Sequence, residues 1–222
     1  MFEQFFLTNK TAIITGGEGL IGKIACKAVR DLGGQAISVD ISPDATIIAD
    51  VSVYSAMLTL SEIPCDILIN CAIGNQKPVE TPAANWNRDI EIGLNGTLNA
   101  IQCCGDQLRK RRGVILNMGS DLSLIAPDNS LYDGHFVKPI SYSVVKHGIV
   151  GLTRYFAVLW PEVRCNCLCP GGIEQGQKIP KNILGRNMRP EEIAGPIAFL
   201  ISNASSFMTG SILTVDGGRT CL

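Results

Sequence analysis

Tyr142 and Lys146 stand four residues apart in PISYSVVKHGIVGLTRYFAV, a stretch whose apolar spacing predicts a helix opening near Pro139 and Ser141. Four residues is about one helical turn, so both side chains leave the same face. An ammonium beside a phenol lowers the phenol's pKa from about 10 towards the range where it can exchange a proton near neutrality. Many amphipathic helices carry such a pair by chance, but a second feature adds weight. TAIITGGEGLIGKIACKAV reads strand, glycine turn, helix, and in that context Gly17, Gly19 and Gly22 fit G-x-G-x-x-G. Such glycines let the backbone approach a pyrophosphate, while the helix N-terminus offers free N–H groups and partial positive charge. A dinucleotide site is expected there. The second strand ends at Asp40, eighteen residues after Gly22, where a carboxylate can accept from both adenosine ribose hydroxyls and repel a 2′-phosphate. With Glu18 in the turn and no Lys or Arg between Asp40 and Lys77, the residues favour NAD over NADP.

These groups need a scaffold, and the hydrophobic pattern supplies one. Strand-like runs occur at 11–15, 35–40, 45–50, 65–71, 113–118, 164–169 and 211–215, with helical stretches near 20–32, 83–110, 142–159 and 190–203. The runs are continuous rather than alternating in polarity, as parallel strands covered on both faces require. This predicts an α/β fold, a Rossmann-like doubly wound parallel sheet of about seven strands in a single domain over 1–222, with ligands beyond the strand C-termini. Only ISPD separates Asp40 from the third run, which leaves no room for a crossover helix. A shortened region after strand 2, around 41–64, is expected, and because it flanks the adenosine pocket, weaker NAD binding with it. The connection 121–141 leads to Tyr142 and is expected to form an active-site lid, with a small substrate loop at about 173–188.

Composition narrows the class. The 222 residues carry 19 basic and 20 acidic side chains, a net charge of −1 that gives no field to draw nucleic acid or an acidic membrane. No apolar run is long enough to span a bilayer, and MFEQFFLTNK has neither the basic start nor the cleavage site of a secretion signal. A cytoplasmic protein is expected. The nine cysteines fit that compartment: their number is odd, no C-x-x-C occurs, and Cys165, Cys167 and Cys169 alternate with the period of a strand. Free thiols and no metal site are expected. LRKRRG at 108–113 reads as a helix C-terminus with Gly113 at C′, not as a nucleic-acid patch. His135, Lys178, Lys181 and Arg186 fall in the two loops that a substrate would pass, though solvated loop residues are the simpler reading. His147 reads as a packing residue.

The landmarks TGGEGLIG (15–22), Asp50 in ADV, ILINCA (67–72), Asn95 in IGLNGT, Ser120 in NMGS, YSVVK (142–146), Asn166 with Pro170-Gly171, and MTGSILTVDGG (208–218) follow one another in order. Through them the chain resembles the short-chain dehydrogenase/reductase family over nearly its whole length. The resemblance implies that Tyr142 exchanges the proton with the substrate oxygen and Lys146 lowers the Tyr142 pKa and holds the nicotinamide ribose. It implies that Ser120 hydrogen-bonds the reacting oxygen and Asn95 positions a relay water. It also implies a cofactor site of Gly16, Gly17, Gly19, Leu20, Ile21 and Gly22 for the pyrophosphate, Asp40, Asp50, Val51, Asn70 and Ala72 for adenosine, and Pro170, Gly171 and Ile173 for the carboxamide. Related enzymes pair the helices corresponding to 83–110 and 142–159 between subunits, so a homodimer or homotetramer is expected.

Some positions depart from the family pattern. The middle glycine of the turn is Gly19, with Leu20 following, as in the extended branch of the family; the MTGSILTVDGG tail is that of the compact branch. Asn70-Cys71-Ala72-Ile73 replaces the usual Asn-Asn-Ala-Gly, and Glu174-Gln175 stand where a Thr is usual. KPISYSVVKHGIVGLTRYFAVLW, RCNCLCPGGIEQGQ and VDGGRT resemble the flagellin-modification subgroup associated with bacterial nonulosonic acid sugars. The implied function is an NAD-dependent oxidoreductase transferring a hydride between nicotinamide and a hydroxyl or carbonyl of a sugar-derived or sugar-nucleotide substrate. Alternatives are a nucleotide-sugar epimerase or dehydratase, a 3-oxoacyl thioester reductase and a non-catalytic dinucleotide sensor.

Overall fold

Alternate residues of the apolar runs face opposite ways, and each set finds its own layer of helices. Ile13, Leu68 and Ile115 point to one side of the sheet, where they meet Ala100, Ile101, Leu108 and Phe156. Ala12, Ile14, Ile67, Ile69 and Leu116 point to the other, against Ala25, Val29, Ile197 and Leu200. The computed structural model describes every residue except 1, 75–80, 82, 132–136 and 175–180. Its strands are β1 (Thr11–Thr15), β2 (Gln35–Asp40), β3 (Ile47–Ile48), β4 (Ile67–Asn70), β5 (Val114–Met118), β6 (Arg164–Pro170) and β7 (Ile212–Val215). They form one sheet in the order β3-β2-β1-β4-β5-β6-β7, every neighbouring pair parallel. This is the doubly wound Rossmann-like arrangement expected. Its strand order reverses between β1 and β4, and a crevice opens there. The helices are α1 (Leu20–Asp31), α2 (Tyr54–Met57), α3 (Trp86–Ile90), α4 (Gly96–Arg111), α5 (Ile140–Leu159) and α6 (Ala194–Ile201).

Three details bear on the site. The edge is reduced, as the short spacing implied: β3 pairs with β2 only through Val39↔Ile47 and Asp40↔Ile48, and residues 41–46 connect them without a helix. Beyond it, α2 and the 3-10 turn Leu58–Glu62 cover the sheet with fully buried Met57 and Leu60. The predicted helix 83–110 starts at Trp86 and carries a π-helical turn, Glu91–Asn95, between α3 and α4. Gly93 lies inside that turn, where a Cβ would come within 2.6 Å of Val145 Cγ1 on α5. The wide turn and the missing side chain together let the two helices close on each other. At the C-terminus of α4 it is Arg112, not Gly113, that takes the left-handed conformation (φ +51°). Gly113 follows it, donates to Leu108 O, and leaves no space for a Cβ beside Asp66 O.

The strand register also builds a buried polar row. Thr15 pairs with Asn70 and Asn70 with Asn117 across β1, β4 and β5. Thr15 Oγ1 donates to Asn70 Oδ1, Asn70 Nδ2 to Asn117 Oδ1, and Asn117 Nδ2 to Thr153 Oγ1 on α5. Each amide is satisfied inside the protein, so the row ties the sheet to the helix that carries Tyr142 without leaving a buried polar group unpaired.

Candidate active site

The glycine turn joins β1 to α1 at the crevice. Gly16 has φ +63°, and a Cβ there would lie 2.6 Å from Ala72 N; at Gly22 a Cβ would lie 2.0 Å from Gly16 O. No side chain fits in either place, and the backbone between them is left open to a ligand. Gly19 is less constrained: it stands at the N-cap of α1, and a Cβ would meet only Gly16 O at 3.3 Å. The first-turn amides of α1, at Leu20, Ile21 and Gly22, face outward without helical partners, a ready site for a pyrophosphate.

A cleft of about 380 Å³ runs on from the turn, lined by Glu18, Asp40, Ile41, Asp50, Val51, Ala72 and Arg88 among others. Asp40 Oδ2 accepts from Glu18 N–H and Oδ1 from Ser42 N–H, which fixes the carboxylate at the adenosine end. Asp50 takes the N–H and hydroxyl of Ser52 and pairs with Arg88 Nη2 at 3.0 Å. Burial raises its carboxyl pKa, but Ser52 and Arg88 outweigh burial and hold it below the ordinary value. The glycine cradle, the helix N-terminus and these carboxylates fit a dinucleotide. Asn70 does not line this cleft. Its side chain is spent in the buried row, because it points into the sheet–helix interface, and Cys71, Ala72 and Ile73 form the wall instead.

The other half of the crevice holds the Tyr142–Lys146 pair. Lys146 is buried, and its Nζ donates to Met118 O at the end of β5 (2.6 Å) and lies 5.8 Å from the Tyr142 ring centroid. Burial pushes Lys146 down to about 8, while Cys167, Cys71 and Cys169 around it act the other way. Ser120 follows β5 as the N-cap of the turn Asp121–Ser123, accepting from Leu122 N–H and donating to Asp121 Oδ1 (2.8 Å). That turn packs on α5. Lys146, the Tyr142 ring it approaches and the turn that Ser120 caps therefore lie towards the end of β5, where that turn also packs against β6.

Asn95 closes the link between α3 and α4. It is exposed on the π-helical turn, while Gly93 and Leu94 face α5 through Val145 and Gly148. His147 is exposed, with Nδ1 on Ser143 O, and does not pack. Arg186 is held by Glu192 through two contacts of 2.7 Å, which occupies it within its own loop. His135 and Lys178 lie outside the described residues, and Lys181 is exposed. LRKRRG is accounted for by pairs of Arg109 with Glu162 and of Arg111 with Asp66. All nine cysteines are free, and among the described residues no cluster could hold a metal ion and no helix could cross a membrane.

Three residues of the site have no counterpart in the motif reading. Arg88 crosses from α3 to the cofactor cleft; Asp50 in ADV was its only sequence hint. Asp121, next to Ser120, is buried and paired with Arg219 at 3.0 Å from the far end of the chain. Lys138 lies with its Nζ 4.1 Å from the Tyr142 ring centroid.

A parallel doubly wound sheet with a glycine cradle at one side of its crevice and a buried lysine beside a tyrosine at the other has the architecture of a dinucleotide-binding protein. A family model described as Enoyl-(Acyl carrier protein) reductase matches residues 12–220, and the chain belongs to the short-chain dehydrogenase/reductase family of oxidoreductases. It is 29% identical to the NAD-dependent glycerol dehydrogenase of Listeria innocua over 98% of this chain and 96% of the relative. It is 28% identical to the 2-dehydro-3-deoxy-D-gluconate 5-dehydrogenase of Bacillus subtilis over 98% and 97%. The crystal structure of a short-chain dehydrogenase from Leptospira borgpetersenii with bound NAD+ superposes with a TM-score of 0.86 at 30% identity, covering 99% of this chain and 96% of that one.

Proposed function

We propose that this protein is a cytoplasmic, NAD-preferring dehydrogenase or ketone reductase that acts on a carbinol or carbonyl of a sugar-derived substrate. The observation that carries this reading is the buried Lys146 ammonium beside Tyr142, at the end of the same sheet whose other half forms the glycine cradle. In oxidation, Tyr142 takes the hydroxyl proton of the substrate, Ser120 Oγ orients its oxygen, and Lys146 keeps the phenolate accessible at neutral pH. In reduction the same groups return the proton. NAD, when bound, supplies the hydride acceptor, and this chain's part is to orient it. Gly16 to Gly22 hold the pyrophosphate, Asp40 the adenosine ribose, Asp50 and Val51 the adenine, and Gly171 and Ile173 the nicotinamide end. Asp40, with Glu18 beside it, opposes a 2′-phosphate and so favours NAD.

Residues 121–141 serve as a lid and 173–188 as the substrate loop. The polyol and sugar-acid names of the relatives, and the resemblance to the flagellin-modification subgroup, support a sugar-derived substrate. Val144, Tyr155 and Val158 form an exposed apolar stripe on α5, suited to a second copy of the chain in a homodimer or homotetramer. The test is reduction of NAD and of NADP, followed by nicotinamide absorbance, across a panel of polyols, sugar acids, amino sugars and nucleotide sugars. Turnover of at least one with NAD ahead of NADP is expected. Firm NAD binding with no turnover of any would overturn the enzyme reading.

A further inference from the structure

Arg88 reaches from α3 to the cofactor cleft, where two of its nitrogens are tied to one corner of the wall. Nη2 donates to Asp50 Oδ2 and Nη1 to Ser52 Oγ, each at 3.0 Å. Ser52 Oγ in turn donates to Asp50 Oδ1 at 2.6 Å, which closes a ring of hydrogen bonds through the three residues. Hydrogen bonds to a guanidinium lie in its plane, so the ring fixes that plane and leaves its faces free of hydrogen bonds. The side chain is accordingly 49% exposed although it is bonded twice, and it lines the cleft with Ile41, Val51 and Ile92. An ion pair this exposed adds little to stability, so stability does not account for the arrangement. The sheet edge beside the cleft is thin, because β3 meets β2 only through Val39↔Ile47 and Asp40↔Ile48. A ligand at this end needs another surface to lie on.

We propose that Arg88 is a cofactor-binding residue: its guanidinium, held flat by Asp50 and Ser52, carries the adenine ring of the dinucleotide on its open face. A guanidinium plane stacks on an aromatic face through both its charge and its shape, where a lysine ammonium offers only a point charge. The fork is formed before the cofactor arrives, so little side-chain freedom is lost on stacking. Ile41, Val51 and Ile92 give the ring apolar walls in the same cleft. Asp50 keeps a place for the adenine amino group. An ionised carboxylate offers about four acceptor positions. Oδ1 takes the N–H and hydroxyl of Ser52, and Oδ2 takes Arg88, which leaves room on Oδ2. The adenine thus meets a cation on its face and a carboxylate at its edge.

The inference rests on the cleft being the dinucleotide site, and its test separates the two claims. Titration calorimetry with NAD and with ADP-ribose, which carries the same adenine and no nicotinamide, needs no substrate and no turnover. In Arg88→Met the Kd of both ligands should rise by about tenfold. Arg88→Lys keeps the charge and the reach to Asp50 but lacks the plane, so its Kd values should rise by about fivefold. The ratio of the two Kd values should stay that of the parent in each variant, because the nicotinamide end is untouched. Binding by Arg88→Met within twofold of the parent overturns the proposal. Parent-like binding by Arg88→Lys overturns it too, since charge alone would then be the cause, and so does a loss confined to NAD. Should Arg88→Met fail to fold, Arg88→Gln gives the same readout. Binding of neither ligand by the parent protein would instead overturn the reading on which the proposal stands.

Discussion

Arg219→Met removes the guanidinium that lies 3.0 Å from Asp121 Oδ2 in a pair whose side chains are 11% and 5% exposed. The carboxylate it leaves cannot reach water without unwinding the turn that holds Ser120. Removing one member of a buried pair costs about 3–5 kcal/mol, because the other charge stays behind uncompensated. Asp121 Oδ1 still accepts from Ser120 Oγ and Leu122 N–H, both at 2.8 Å, which places the loss near the lower end, about 3 kcal/mol. Asp121→Asn is the milder half of the cycle: Arg219 sits nearer the surface and can turn outward, so about 1–2 kcal/mol is expected. The double variant Asp121→Asn/Arg219→Met should recover part of the sum, because neither charge is then stranded. Urea unfolding at neutral pH, with m-values compared across the four proteins, measures all three numbers. A loss below about 1 kcal/mol for Arg219→Met, or strict additivity in the double variant, would refute the argument that this pair is buried and coupled.

Further predictions concern the cradle, the foot of the sheet and the cofactor. Gly22→Ala drives a Cβ into Gly16 O and should weaken NAD binding at least tenfold, whereas Gly19→Ala, with its one contact at 3.3 Å, should bind within a few-fold of the parent; titration calorimetry distinguishes them. Asp66 sits at the foot of β4; burial raises its carboxyl pKa, but Thr11 N–H, Lys10 and Arg111 outweigh burial and hold it below the ordinary value. Its stabilising contribution is therefore complete above about pH 4 and lost as the pH falls through the lower, folded-state value. Asp66→Asn should flatten the acid limb of stability against pH, and an unchanged limb would exclude this source. Asp40→Ser removes the carboxylate that opposes a 2′-phosphate, so the ratio of kcat/KM for NAD over NADP should fall by at least tenfold.

The sheet was legible in the sequence because its strands are unbroken apolar runs, and all seven appear within a few residues of their expected positions. The glycine turn and the Tyr142–Lys146 spacing were legible because each is a local pattern with a local physical cause. Register within a helix was not legible. The π-helical turn Glu91–Asn95 and the packing of Gly93 on Val145 decide which residues there meet α5, and neither is visible in residue spacing. Asn70 was assigned to the cofactor wall from its place in a motif; only the cross-strand register shows its amide spent between Thr15 and Asn117. Asp121 and Arg219 were missed for a related reason, since 98 residues separate them and no periodicity connects the ends of β5 and β7.

The central claim is that Tyr142 transfers the proton that accompanies hydride movement. Rapid-mixing measurement of nicotinamide reduction in a single turnover, with saturating NAD and the best polyol or sugar substrate, tests it most directly when the protein and its Tyr142→Phe variant are compared at equal NAD occupancy. The account predicts a rate about a thousandfold lower in Tyr142→Phe, with NAD affinity unchanged within a few-fold. A variant rate within tenfold of the parent would contradict it and move the proton transfer to another group.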